Sequence, residues 1–429
     1  MPTETRFQGL TLRPHSFTVP LNHANPTGET IAVFGREVVA TARANEALPW
    51  LVFLQGGPGF GAPRPDGKGG WLKRAVQDYR VLLLDQRGTG RSTPVTHQTL
   101  ARFPSAAATA DYLKHFRADA IVQDAELIRR QLAGEQTRWS LLGQSYGGFC
   151  AVHYLSAAPQ GLAEVFITGG LPPLVRPIDD VYRATYERVL DKNNLYYARY
   201  PDDVERAQAV VNALMHQTVT LPGGGTLNPH RFQQLGMVFG ASYGFETVHY
   251  LLEDAFVEGA QGPELNFVFL RGVENASSLE TNPIYAILHE AIYCQAEASR
   301  WSAERVRAEF SEFEFSRNHP VRFTGEMIYP SMFDDYAHLR PLKEAAHLLA
   351  DYSEWPRLYD VAALQANTVP CAAAMYYNDM YVERQFSDET AQTIRGLKTW
   401  VTSEYEHNGL RADGEKVLGR LIDMVRGEV

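Results

Sequence analysis

The sequence predicts an α/β protein: a mostly parallel, doubly wound sheet interrupted by a large helical insertion. Three observations predict it. Short, largely apolar runs such as Trp50–Leu54 (WLVFL) and Arg80–Leu84 (RVLLL) are each followed by a glycine-containing turn, as in parallel strands covered by helices on both faces. Between such runs lie stretches with helical spacing, and alternation of this kind builds a doubly wound sheet. After Pro172 and Pro173 the strand-like runs stop, and residues from about 174 to 344 turn helical in pattern, aromatic and charged.

Taken in order, Thr30–Arg43 (TIAVFGREVVATAR) alternates in the manner of half-buried strands. Ala118–Leu132 sets Ile121, Ala125, Ile128 and Leu132 on one helical stripe. Trp139–Leu142 (WSLL) then leads through a glycine-containing turn into a helix from about Ser145 to Ala157, and Val165–Thr168 reads as the next strand. Inside the insertion only Leu265–Leu270 (LNFVFL) could be a strand, and Pro222–Thr226 (PGGGT) is a local turn. The sheet resumes near Val369–Tyr377, and a last helix covers about Gly414–Val425. The expected domains are a core over 1–173, a helical cap over 174–344 and the rest of the core over 345–429. A chain of 429 residues has room for both.

Composition narrows the function classes. A formal charge of −10 argues against a nucleic-acid partner, which needs a positive face to release counterions. Cys150, Cys294 and Cys371 are far apart and form no CxxC pair, so neither a disulfide framework nor a zinc site is implied. No metal and no cofactor are expected. The opening residues lack the apolar core of a signal peptide, and no apolar stretch approaches the roughly 20 residues that span a bilayer. A cytoplasmic location without membrane contact is the expectation, and the oligomeric state is open.

The strongest motif is Gly143-Gln144-Ser145-Tyr146-Gly147, a GxSxG between a strand and a helix. A serine at such a sharp turn sits in strained backbone, so the residues two before and two after must be small. The turn lifts the hydroxyl clear of the sheet, and the helix N-terminus favours developing negative charge. It reads as the nucleophile elbow of an α/β-hydrolase fold, expected here with an inserted helical cap domain; a glycine-rich turn that happens to contain serine is the plainer reading. A second glycine loop, Gln55-Gly56-Gly57-Pro58-Gly59, follows the WLVFL strand. It stands where one backbone N–H of an oxyanion hole is needed, with Gly57 and Tyr146 as the donors. A tight glycine–proline turn is the plainer reading of that loop, and a phosphate loop is disfavoured because no GxxxxGK[ST] pattern occurs.

In the order Ser, Asp, His, the acid and base lie downstream. Asp379 follows the VPCAAAMYYN run, and His407, in EYEHNG, is the only histidine after it. Ser145 is therefore the expected nucleophile, His407 the base, and Asp379 the acid that orients it. A strand-terminating aspartate and a surface loop histidine are the competing structural readings. Asp360, in a helical pattern, and Asp388, in a helix-start segment (SDET), are weaker acids. Haloalkane dehalogenases and epoxide hydrolases place Asp at the elbow, where this chain has Ser145.

Together the segments QGGPGFGAPRP (Gln55–Pro65), DQRGTGRS (Asp85–Ser92), GQSYGG (Gly143–Gly148), NDMYV (Asn378–Val382) and EHNGLR (Glu406–Arg411) resemble the prolyl aminopeptidases, or proline iminopeptidases, of the α/β-hydrolase superfamily. They occur in order across most of the chain, whose length is similar to the longer, larger-capped form. In DQRGTGRS, Arg87 and Arg91 are expected to brace the top of the sheet through carboxylate pairs. Gln55 departs from the pattern, since many members carry His there. A backbone oxyanion donor is unaffected, but any role for that side chain is in doubt. The resemblance implies release of N-terminal proline from peptide substrates, and a charged secondary amine calls for a carboxylate partner. LHEAIY (Leu288–Tyr293) resembles the segment that supplies one, making Glu290 the first choice and Glu246 the second; each could instead be a solvated helix charge. Phe245, Tyr285 and Tyr293 are candidates for an apolar proline pocket, although helical aromatics are often plain core. An esterase or amidase with another small acyl substrate is the alternative within enzymes. A non-catalytic hydrolase-like binding protein is the alternative outside them.

Overall fold

Nine strands form the main sheet, numbered in chain order: β1 (Thr5–Phe7), β2 (Leu10–Pro20), β3 (Thr30–Ala40), β4 (Trp50–Leu54), β5 (Arg80–Asp85), β6 (Trp139–Gln144), β7 (Leu162–Thr168), β8 (Cys371–Tyr376) and β9 (Leu397–Thr402). The computed structural model describes residues 4–67, 69–316 and 319–429. Spatial order across the sheet is β1-β2-β3-β5-β4-β6-β7-β8-β9. The first three strands form an antiparallel entry, and β3 pairs antiparallel with β5. From β5 onward all neighbours are parallel. This is the α/β-hydrolase arrangement that the alternation of apolar runs and helical stripes predicts.

Burial explains the local choices. Every residue of β6 and β8 is buried, as expected for central strands with helices on both faces. On one face the helices Gly70–Asp78 and Gly414–Arg426 pack against Leu51, Phe53, Leu83, Leu142, Phe166, Ala372 and Ala374. On the other, helices Ala118–Ala133 and Tyr146–Ala157 cover Val52, Leu54, Leu82, Leu141, Val165 and Ile167. Ala118–Ala133 buries Ile121, Ala125 and Ile128 and ends at Gly134, whose φ of 102° a side chain would resist.

Between β7 and β8 the chain adds helices and two small hairpins, Val219–Thr220 with Thr226–Leu227 and Phe256–Gly259 with Gly262–Leu265. Its apolar residues join the core under the Tyr146–Ala157 face without a break. PGGGT is the turn of the first hairpin, closed by Leu221 N–H on the Gly225 carbonyl at 2.7 Å. LNFVFL is mostly helix: Asn266 caps Phe267–Asn275 by accepting from Val268 N–H at 3.0 Å. We propose 174–344 as the cap; the helix Lys343–Ala350, which begins at its end, packs on the core helix Ala106–Leu113.

The DQRGTGRS loop is a brace. Arg87 is buried, donates from Nε to Asp124 at 2.7 Å, and donates to the carbonyls of Leu21 at 2.8 Å and His115 at 2.7 Å. Asp85, at the end of β5, accepts from Ala62 N–H, Arg91 N–H and Arg64, all within 3.0 Å. The glycine loop after β4 is thereby tied to the sheet. Arg91 departs from the expected carboxylate pairing, since its guanidinium lies over the Phe34 ring at 4.5 Å. Removing one partner of a buried ion pair strands the other charge. Arg87→Met is therefore expected to lower the urea unfolding free energy by about 3–5 kcal/mol; a loss under about 1 kcal/mol would contradict the brace.

Candidate active site

Ser145 stands between β6 and the helix Tyr146–Ala157, with φ 54° and ψ −125°. A left-handed backbone at a residue with a side chain costs about 1–3 kcal/mol and persists only where its surroundings dictate it. Here they do. Ser145 N–H donates to the Thr168 carbonyl at 2.9 Å, and its own carbonyl accepts from Gly148 N–H at 2.7 Å. A Cβ on Gly147 would sit 1.9 Å from the Leu54 carbonyl oxygen, so the turn can approach β4 only with glycine there.

The glycine loop lies alongside. A Cβ on Gly56 would fall 2.7 Å from the Ser145 Cβ, so the loop backbone lies against Ser145. Gly57 lines the same cavity as Ser145. Tyr146 opens the helix, where its N–H has no acceptor within that helix.

Asp379 and His407 come together from different elements. Asp379 sits just beyond β8, 2% exposed, and its Oδ1 accepts from Tyr381 N–H at 2.9 Å and Val382 N–H at 3.1 Å. These two bonds aim Oδ2 at His407 Nδ1, 2.7 Å away. Burial works against a charged imidazole, yet the charges of Asp379 and Glu326 outweigh it and hold the His407 pKa above its usual value. A Cβ on Gly169, one residue beyond β7, would come within 3.1 Å of His407 Nδ1, which sets the ring over the strand end that also receives the Ser145 N–H.

The insertion completes the setting. His407 N–H donates to the Gly240 carbonyl at 3.1 Å. Asn408 and Ser242 exchange hydrogen bonds at 3.1 and 3.2 Å. Lys192, on the helix Ile178–Arg199 of the insertion, is 2% exposed and pairs with Glu406 at 2.5 Å. Tyr381 packs edge-on against His407 at 4.8 Å and donates its hydroxyl to the Met237 carbonyl.

A cavity of roughly 280 Å³ opens between core and insertion, with Ser145, His407, Gly57, Phe60, Tyr285 and Glu326 on its wall. Glu326 is its only Asp or Glu among the described residues. Enclosed by protein, its carboxyl is pushed up to about 7, although a hydrogen bond from Tyr285 and the charge of His407 pull the other way. No group of three or more His, Cys, Asp or Glu among the described residues is placed to hold a metal ion.

The expectation that Glu290 and Glu246 meet a substrate amine does not agree with where they lie. Glu290 is buried, and its two oxygens accept from Ser302 N–H at 3.1 Å and Ala303 N–H at 2.9 Å. It satisfies the open end of the helix Ser302–Arg307. Glu246 pairs with Arg199 at 2.7 Å and accepts from Tyr200 at 3.1 Å. Neither lines the cavity. Of the three aromatics only Tyr285 does so; Phe245 packs on Tyr196 and Phe239, and Tyr293 on Phe149 and Tyr182. Among the weaker acids, Asp360 caps Val361–Gln365 and Asp388 pairs with Arg384 within a helix.

Sequence reasoning missed Glu326. Its signal is an acid set in a largely apolar run, Phe323-Thr324-Gly325-Glu326-Met327-Ile328-Tyr329, where a solvated surface charge is out of place. A carboxyl whose pKa is higher folded than unfolded adds stability that is complete below its unfolded pKa and is lost as pH rises through the folded one. Stability is thus expected to decline between about pH 4.5 and 7 by up to about 3 kcal/mol on this account. Glu326→Gln flattens that decline in urea titrations at stepped pH; an unaltered slope would contradict the enclosed carboxyl.

Residues 49–211 match the family described as alpha/beta hydrolase fold. The chain is 52% identical over 426 residues to the proline iminopeptidase of Aeromonas sobria, covering 99% of both chains. It is 38% identical over 413 residues to the proline iminopeptidase aneH of Aspergillus aculeatus, covering 95% of this chain and 92% of that one. Such identity, sustained over nearly the whole length, carries the insertion as well as the sheet, and the chain belongs to the proline iminopeptidase family.

Proposed function

We propose that the chain is a serine exopeptidase that releases N-terminal proline from peptides, with Ser145, His407 and Asp379 as its triad. The observation that carries this reading is Glu326, the one carboxylate among the described residues in the cavity that also holds Ser145 and His407. A free prolyl amine is a charged secondary ammonium, and an enclosed carboxylate is its natural partner. Tyr285 and Phe60, packed edge-on at 5.3 Å, supply apolar surface for the pyrrolidine ring.

The chemistry follows from the geometry. His407 takes the Ser145 hydroxyl proton as Oγ attacks the prolyl carbonyl carbon. The oxyanion is met by the N–H groups of Gly57 and Tyr146, and one such donor is worth about 10²–10³ in rate. As the C–N bond breaks, His407 gives the proton to the departing amine, leaving a prolyl ester on Ser145. Water then attacks the ester with His407 again as base, and proline leaves. Asp379 fixes the tautomer and steadies the imidazolium. A cytoplasmic location belongs to the same proposal, supported by three buried, unpaired cysteines; no described helix is long and apolar enough to cross a membrane.

Hydrolysis of proline β-naphthylamide tests the reading. Wild type is expected to turn it over, Ser145→Ala to lose at least about 10³-fold, and the N-acetylated substrate to be inert. Equal turnover of the acetylated substrate rejects the amine site, and cleavage of simple aryl esters alone moves the assignment to an esterase. Activity is also expected to fall on acidification through about pH 7, because His407 must be neutral and Glu326 ionised to act. Glu326→Gln is expected to raise KM by roughly tenfold or more. A KM unchanged by that substitution places the amine elsewhere.

A further inference from the structure

The cavity holds one charged group that neither acyl transfer nor amine binding employs. Arg411 lines it together with Ser145, Glu326 and His407, and is its only Lys or Arg among the described residues. It lies on the short helix Gly409–Ala412, four residues beyond His407. Among the described residues no Asp or Glu is within ion-pair distance of its guanidinium. Its partner is an amide. With the Gln55 side-chain oxygen turned toward it, that oxygen accepts from Arg411 Nη2 at 3.1 Å and from Gly56 N–H at 3.3 Å. Gln55 is the position where this chain departs from the family pattern, and the contact gives its side chain work that the oxyanion loop does not require.

The two charges divide the cavity by chemistry. Glu326 answers the ammonium on the residue that is released. His407 must protonate the departing amine, so the rest of the peptide leaves on the His407 side, and Arg411 stands one helical turn further along that same loop. A guanidinium with an open face, steadied by an amide, suits a carboxylate. We infer that Arg411, steered by Gln55, binds a carboxylate carried by the residue that follows the N-terminal proline. Dipeptides place their C-terminal carboxylate there. This inference rests on the aminopeptidase reading and adds the substrate class: short peptides with a negative charge next to the scissile bond.

The test is a set of ratios. kcat/KM is measured for Pro-Gly against Pro-Gly-amide, and for Pro-Glu-amide against Pro-Gln-amide, with wild type and Arg411→Gln. Arg411 also acts on His407 through its charge, but both members of each pair use the same base, so the ratio cancels that effect. An exposed guanidinium–carboxylate pair predicts a wild-type preference of roughly threefold to tenfold for Pro-Gly over its amide, falling toward unity in Arg411→Gln. A preference confined to Pro-Glu-amide and lost in the same variant supports the carboxylate site with the side chain as its source. Arg411→Lys is expected to retain part of whichever preference exists. Ratios that the substitution leaves unchanged, with proline β-naphthylamide turned over normally by wild type, overturn this inference alone. Absence of that turnover removes the aminopeptidase reading, and this inference with it.

Discussion

Everything in this site depends on how one histidine is held. His407 is gripped through its ring by Asp379, at the end of a sheet strand, and through its backbone N–H by the carbonyl of Gly240, in the insertion. The Lys192–Glu406 pair and the reciprocal Asn408–Ser242 bonds fasten the residues on either side of it to the insertion as well. His407 is therefore held by both parts of the molecule. A site for acyl transfer needs its groups held to about half an ångström, and contacts from both the core and the insertion restrain the His407 loop. The same segment of the insertion that receives the His407 N–H also walls the cavity through Met237, Val238, Gly240 and Ala241. One loop thus both walls the cavity and holds His407.

On the other side, Ser145 is held by close packing. Ser145 occupies a left-handed backbone because β4, the end of β7 and the first turn of the following helix leave it no alternative. That is why the motifs are dense in glycine: at Gly147 and Gly56 any side chain would collide with a neighbouring strand or with the serine itself. Asp85 then ties the glycine loop down, and Arg87 ties the next loop to Asp124. The strain at the elbow is sustained by a rigid frame built from residues that do no chemistry.

These constraints decide what could be read from the sequence. β4 and the helix after the elbow are legible because burial on both faces and backbone crowding restrict which residues can stand there. β9 is not, because Leu397–Thr402 is an edge strand with Lys398, Thr399 and Val401 exposed, so no apolar run marks it. LNFVFL is misleading for a different reason: Phe267 and Val268 are apolar but exposed on the first turn of a helix. Glu326 illustrates the limit for the site. Glu290 and Glu326 are both acids among apolar neighbours, and only the packing of the insertion determines that one meets backbone N–H groups while the other faces the cavity. Periodicity along a chain carries no information about which of two carboxylates shares a cavity with a serine far away in the sequence.

On the proposed mechanism, Ser145 is made nucleophilic by a histidine held between core and insertion. Labelling with a fluorophosphonate, followed by peptide mass mapping and rate measurement, tests it most directly. A single adduct on the peptide containing Ser145 is expected in wild type, with the rate falling by at least about 10³-fold in His407→Ala. An adduct at another residue, or an equal rate without the imidazole, would contradict it.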